Sequence, residues 1–335
     1  MRALLRNSDT PRDFAMGEVP EPVTPPGMVK IKVAYAGICG SDLHIYLGQE
    51  SGLPQGIHGH EFSGTIAELG EGVSGFTVGQ RVTAEHTAST CGRCAYCKTG
   101  RYQLCSHRHS IGFDIPGAFA EYVLVDPQYI HPLPQGVSLK AGALTEPLAC
   151  IIHAVELVEV KPGMPVLVVG PGPMGFLAAL TLRAYGCQVE LLGTQVDRER
   201  LERAAAAGIS VLEELRPGAS YPLTVDCSGA QGGIRSAMSA LEKGGTLLQV
   251  GIATREVTLP YDQVVYREWK IQGTFCHTWK DWHQALRLEE TGRLDLSPVV
   301  TGEVELEDWQ SAFEDLLDKK GMKTLFRIGG EEAAQ

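Results

Sequence analysis

The chain has 335 residues, 44% hydrophobic and 21% charged, which is long enough for two domains with a sizeable core. Its formal net charge of -11 argues against nucleic acid or an acidic membrane as partner, since each calls for a basic face. No stretch reads as a transmembrane span and the opening Met1-Arg2-Ala3-Leu4-Leu5-Arg6-Asn7 is too briefly apolar for a signal peptide, so a cytoplasmic protein is expected.

Proline and glycine in residues 20–27 hold open the entry to the first clear strand. There Val29, Ile31, Val33 and Tyr35 alternate with Lys30, Lys32 and Ala34, the pattern of a half-buried strand. Short strands are expected at 64–69, 81–84 and 120–125, separated by glycine-rich turns. Near Pro147 the pattern changes. The apolar run 165–169 ends in a glycine turn, and 174–185 reads as a helix. A strand at 188–192, a helix at 197–207, a strand at 223–227, a helix near 234–241 and strands at 246–250 and 271–275 complete the series. Buried strands alternating with helices predict an α/β fold with a parallel, doubly wound sheet. Beyond it, Trp282, Ala285, Leu286 and Leu288 form one apolar helical face, and Trp309, Phe313, Leu316 and Leu317 another. That segment is too short for a domain and is expected to pack back on the N-terminal β region. No internal repeat is visible, and residues from 331 on read as a frayed tail.

Nine cysteines are many for a reducing compartment, where close spacing favours metal ligands over disulfides. Cys91-x2-Cys94-x2-Cys97-x7-Cys105, with Gly92 easing the first turn, can close a tetrahedral zinc site with no open position. Such a site ties down a loop and does no chemistry. The competing reading is a pair of disulfides. His107 and His109, just beyond, are expected to be solvated. Cys150, Cys187, Cys227 and Cys276 are scattered and read as small buried hydrophobes.

A second set of ligands is looser. Cys39 and His60 offer one soft and one borderline donor, and Glu61 or Glu146 could add an oxygen. Three protein ligands with an open position is the catalytic pattern for zinc. A histidine and a cysteine 21 positions apart are also commonly just core residues.

The glycine turn Gly170-Pro171-Gly172-Pro173-Met174-Gly175 follows a strand and precedes a helix, the context in which it cradles a pyrophosphate at the helix N-terminus. The end of the next strand reports the nucleotide: an acid there binds the NAD ribose, whereas basic or small polar residues suit the NADP phosphate. Here Thr194, Gln195, Arg198 and Arg200 stand in that region with no acid directly at the strand end, and Asp197 reads equally as a helix cap. The balance leans to NADP over NAD.

These residues together resemble the zinc-dependent medium-chain dehydrogenase/reductase family, in its sorbitol (polyol) and threonine dehydrogenase branch. Gly37-Ile38-Cys39-Gly40-Ser41-Asp42-Leu43-His44 and Gly59-His60-Glu61 look like that branch's catalytic zinc motifs. Glu146-Pro147-Leu148-Ala149 looks like the segment carrying its second active-site glutamate, where the alcohol dehydrogenases use a cysteine. The resemblance implies a GroES-like β-rich catalytic domain over 1–148 and 278–335, with a structural zinc lobe at about 89–108. It implies a Rossmann domain over 149–277 and an active site in the cleft between them. It further implies two zinc ions per chain, a nicotinamide cofactor and a dimer or tetramer of identical chains. Cys39, His60 and Glu61 or Glu146 would hold the catalytic zinc, either glutamate directly or through water. Ser41 and His44 would relay the proton lost by an alcohol. The strand and loop 273–279 lack the arginine that the branch uses near its polyol or threonine carboxylate, which counts against threonine and weakens sorbitol.

The expected activity is oxidation of a secondary hydroxyl, on a polyol, sugar alcohol, diol or cyclitol, to a ketone by hydride transfer. An L-threonine 3-dehydrogenase-like activity is the alternative. A zinc-free reductase of the same superfamily would lack the ligands, and a non-enzymatic nucleotide-binding protein would have no use for an intact Ser41–His44 pair.

Overall fold

The computed structural model describes residues 1–50 and 52–329, so the tail expected from 331 lies outside the described residues. The chain divides into two compact units. The first gathers Met1–Glu146, Thr278–Glu290 and the described residues from Val300 onward; the second gathers Pro147–His277 and Thr291–Val299. The last of these segments corrects the expectation that 278–335 falls wholly in the first domain. The short turn Ser297–Val299 packs instead against the helix Pro173–Ala184 of the second unit.

In the first unit the strand Val29–Gly37 is the organising element. It pairs antiparallel with Glu61–Leu69, with Tyr122–Val125 and with Lys323–Arg327. Neighbours on both edges bury nearly all of it, which corrects the half-buried alternation expected from its lysines. Lys30 stays charged there because its Nζ reaches Glu21 at 2.6 Å and Glu68 at 2.7 Å. The sheet continues outward through Arg81–Ala84 and Ile130–Pro132 on one side and through Val300–Glu305 on the other. A smaller sheet of Phe14–Glu18, Arg2–Arg6 and Gly56–Ile57 accompanies it.

The helix Trp309–Leu317 packs on this β region, as its apolar face predicts. Phe313 is fully buried, with ring centroids 5.1 Å from Tyr46, 6.1 Å from Phe14 and 6.3 Å from Phe119. Burial of each such side chain contributes about 2 kcal/mol. The helix Trp279–Glu290 buries Trp282, stacked 5.0 Å from the His131 ring.

The second unit is a six-stranded parallel sheet in the order Ser210–Leu212, Gln188–Leu192, Pro165–Val169, Tyr221–Asp226, Leu241–Gln249, Lys270–Gly273. The chain starts at the centre, winds to one edge, then returns to build the other. Ligands of such sheets sit at the carboxyl ends of the strands where the order reverses. The glycine turn 170–175 leaves the carboxyl end of Pro165–Val169, at that reversal. No helix among the described residues is long and apolar enough to cross a membrane.

Candidate metal centres and nucleotide loop

The four cysteines of the lobe converge. Their sulfurs all lie within 4.8 Å of one another, with Cys94 at 3.5 Å and Cys91 at 3.9 Å from Cys97. All four are free thiols, so the disulfide reading is not realised. Tight turns aim backbone N–H groups at the sulfurs: Cys94 N donates to Cys91 Sγ and Cys97 N to Cys94 Sγ, each at 3.4 Å, and His107 N to Cys105 Sγ at 3.4 Å. Backbone donors from Arg93 and Cys94 pull the Cys91 thiol down to about 6, while burial and the neighbouring Cys94 push Cys97 up to about 11. Sulfurs crowded on donors in this way fit one tetrahedral dication. His107 and His109 are exposed. Of the isolated cysteines only Cys187 is fully buried; Cys150, Cys227 and Cys276 are partly buried.

Strand pairing assembles the second cluster. Gly37 sits opposite Glu61 in the antiparallel pair, so the residues just past one strand meet those just before the other. Cys39 Sγ, a His60 ring nitrogen and a Glu61 oxygen thereby come within 4.8 Å of one another. Cys39 is also the N-cap of the helix Gly40–Tyr46, and its backbone N–H donates to Asp42 Oδ2 at 2.8 Å.

His60 Nδ1 and Asp42 Oδ1 are buried with no hydrogen-bond partner, 3.7 Å apart. Burial works against a charge on the His60 ring. The Asp42 carboxylate, the Cys39 sulfur and Glu146 outweigh it and pull His60 upward. A cage that draws positive charge so strongly, with a thiol, an imidazole and a carboxylate converging, fits Zn²⁺.

Two neighbours of this cluster were not singled out in the sequence. Lys323, 2% exposed, places Nζ 2.7 Å from both Glu61 oxygens and 3.0 Å from the Ile38 carbonyl. Its only sequence signal is a lysine inside the apolar run 322–326. His86 follows the strand Arg81–Ala84 and brings Nδ1 to 3.2 Å from Glu146 Oε1. Its Nε2 is 3.1 Å from Arg108 Nη2.

Glu146 stands in the first turn of the helix Thr145–Glu156, outside the Cys39–His60–Glu61 triplet, though its charge reaches His60. Ser41 and His44 share one short helix but are not joined: Ser41 Oγ is buried and unpartnered, and His44 Nδ1 lies 2.6 Å from Gln49 Oε1.

In the second unit Gly170 has φ +97°, which favours glycine, and a Cβ on Gly175 would lie 1.8 Å from the Gly170 carbonyl, so the helix closes on the turn only because Gly175 lacks a side chain. Gly172 caps the helix Pro173–Ala184, with Pro173 opening it and Met174 following. Pro171 completes the turn. At the end of Gln188–Leu192, Asp197 folds back to accept from Thr194 N at 3.2 Å and Oγ1 at 2.8 Å. Asp197 is the N-cap residue of the helix Arg198–Ala206 by position, but its side chain makes no cap hydrogen bond there and instead closes the turn back onto Thr194. Gln195 is exposed, Arg198 lies 3.8 Å from Glu213, and burial lowers the Arg200 guanidinium against the pull of Asp197.

Comparison with known proteins agrees with this geometry. The family profile for the alcohol dehydrogenase GroES-like domain matches residues 25–135, and that for zinc-binding dehydrogenases matches 173–291. The chain is 38% identical over 338 residues to a sorbitol dehydrogenase of Halalkalibacterium halodurans, covering 97% of this chain and 98% of that protein. It is 33% identical to a D-arabitol-phosphate dehydrogenase of Enterococcus avium, covering 91% of each. Among solved structures, a putative zinc-binding dehydrogenase from Sinorhizobium meliloti bound to NADP superposes with TM-score 0.89 at 26% identity, covering 98% of this chain and 99% of that one. The 2R,3R-butanediol dehydrogenase of Bacillus subtilis superposes with TM-score 0.88 at 28% identity, with the same coverage. The chain belongs to the zinc-binding dehydrogenases that carry a GroES-like alcohol dehydrogenase domain. It is an oxidoreductase acting on alcohol groups.

Proposed function

We propose that this chain is a zinc-dependent polyol dehydrogenase that oxidises a secondary hydroxyl to a ketone, with NADP as the preferred hydride acceptor. The observation that carries the reading is the Cys39–His60–Glu61 triplet, its ligand atoms within 4.8 Å, with His60 and Glu61 buried and Cys39 partly so. When bound, zinc supplies a Lewis acid that lowers the pKa of the substrate hydroxyl, and the oxidised nicotinamide takes up the hydride.

The chain's own residues do the rest. Cys39 and His60 hold the metal, and Glu61 and Glu146 offer oxygens. Asp42 faces the His60 nitrogen that its carboxylate can orient, as outer-shell carboxylates do for metal-binding histidines. The unpartnered Ser41 Oγ is available to accept the hydroxyl proton, and His44, one helical turn on, to pass it outward. The four-cysteine lobe holds a second, structural zinc. A pyrophosphate docks on the turn 170–175, and with the Asp197 carboxylate bonded to Thr194, the basic Arg198 and Arg200 beside them favour a 2′-phosphate. Residues 273–279 lack arginine, which favours a neutral polyol over a substrate carboxylate. The relatives named for sorbitol and arabitol phosphate support the same class.

The test is nicotinamide reduction with a panel of polyols, simple secondary alcohols and L-threonine, in parallel with NAD⁺ and NADP⁺. Preference for a polyol with NADP⁺ supports the reading. Turnover of L-threonine alone, or silence across the panel with both zinc sites filled, overturns it.

A further inference from the structure

We propose that His86 and Arg108 are positioning residues for Glu146, and that Arg108 does this by fixing the tautomer of the His86 ring. The inference rests on the reading above in one respect, that Glu146 serves the metal site.

The argument starts from hydrogen-bond chemistry. A guanidinium carries donors and no acceptor, and it stays protonated in proteins. Arg108 Nη2 lies 3.1 Å from His86 Nε2, so Nε2 must accept and carries no proton. The ring proton then belongs on Nδ1, which faces Glu146 Oε1 at 3.2 Å and donates to it. His86 and Glu146 are 6% and 5% exposed, so water competes little for either bond.

Both ring nitrogens are thereby committed. His86 lies beside the candidate ligand His60, with ring centroids 5.4 Å apart. Phe113 packs on the same pair, 4.9 Å from His60 and 6.2 Å from His86, and fixes the ring planes. A ring that donates one N–H orients the carboxylate through one oxygen and leaves the other oxygen to the metal side.

Arg108 is itself anchored. Nη2 also donates to Ser110 Oγ at 2.8 Å, and Arg108 N bonds the Cys105 carbonyl at 3.1 Å. Cys105 is the last ligand of the four-cysteine lobe. Two side-chain hydrogen bonds therefore connect that lobe to Glu146, and a lobe that has lost its fold releases Arg108 first.

The experiment is ¹⁵N NMR of histidine-labelled, zinc-loaded protein, together with Arg108→Met, His86→Asn, His86→Phe and Glu146→Gln. Asparagine keeps a donor near the Nδ1 position; phenylalanine keeps only the ring shape. The expected result is a protonated Nδ1 and a bare Nε2 on His86 in the unsubstituted protein, with that preference lost in Arg108→Met. His86→Phe should lower kcat about tenfold with little change in KM for the nucleotide, His86→Asn should restore most of it, and the visible spectrum of the cobalt-substituted catalytic site should shift in the first and not the second. A protonated Nε2 in the unsubstituted protein overturns the proposal, as does His86→Asn failing as badly as His86→Phe with both folded. A fully active Glu146→Gln with the His86 tautomer intact instead removes Glu146 from the reaction, and so strikes at its assigned function and not at the hydrogen-bonded chain.

Discussion

Lys323 Nζ lies 2.7 Å from both carboxylate oxygens of Glu61, and neither side chain is open to solvent. Burial alone would lower the lysine; the Glu61 carboxylate and the Cys39 sulfur more than restore its charge. A candidate zinc ligand thus carries its own counter-cation. Breaking such a buried pair from one side costs about 3–5 kcal/mol, because the remaining charge is left uncompensated. Lys323→Met should therefore destabilise the metal-free protein by roughly that amount. Zinc would supply the missing positive charge, so the deficit should shrink when metal is added. Urea unfolding of both proteins, with chelator and with zinc, checks this. An equal deficit in both conditions would mean Glu61 does not face the metal.

Cys39→Ala and His60→Ala each remove one donor from the triplet while leaving the surrounding strands paired. Both should lose at least about a hundredfold in kcat, since a Lewis acid contributes several kcal/mol to such a step. Circular dichroism should show the fold retained. Full turnover by Cys39→Ala would sink the catalytic scheme.

Cys97→Ala should act through stability first. Its sulfur lies 3.5 Å from Cys94 and 3.9 Å from Cys91, so it is central to closure of the lobe. Binding energy at a structural zinc is folding energy, so the loss should be on the order of several kcal/mol. Metal analysis should show one zinc fewer per chain alongside a lower Tm. An unchanged Tm with the zinc gone would make the lobe dispensable.

Glu289 gives a pH dependence of known sign. The residue is partly exposed, yet Oε2 is sealed from solvent and unpartnered, while Oε1 accepts from the Thr145 hydroxyl at 3.2 Å. Burial pushes this carboxyl from 4.5 up to about 8, with Thr145 opposing it in part. A carboxyl raised on folding holds its proton more tightly in the folded state. Its contribution is present at acid pH and is lost as pH rises through about 8. Glu289→Gln should melt close to the parent protein near pH 5 and above it near pH 8.5. The same Tm difference at both pH values would remove Glu289 as the source.

Much of this molecule was legible in advance because its chemistry is written in short spacings. The four cysteines and the glycine turn lie within single local segments, so their geometry follows from turns that the sequence spells out. Strands 81–84 and 188–192 fell where the apolar runs placed them. What could not be read depended on partners far away in the chain. Val29–Gly37 looked half-buried because its lysines suggested a solvent face, and only its three strand partners show why Lys30 is buried with Glu21 and Glu68. Lys323 sits 262 positions from Glu61, and nothing in either local stretch predicts the pair. His86 and Arg108 are ordinary residues until tertiary structure puts a donor on one side of a ring and an acceptor on the other.

The late position of Lys323 orders the life history of the protein. On the ribosome, all four cysteines of the lobe have emerged once Cys105 has, before any strand of the second unit. Cys39, His60 and Glu61 emerge earlier still, yet the strand that covers the free edge of Val29–Gly37 and delivers the counter-charge to Glu61 comes from Lys323–Arg327, after the whole second unit. The strand that closes this edge of the sheet and the cation that neutralises Glu61 are thus one element, so pairing of the strand and neutralisation of the carboxylate happen in a single step.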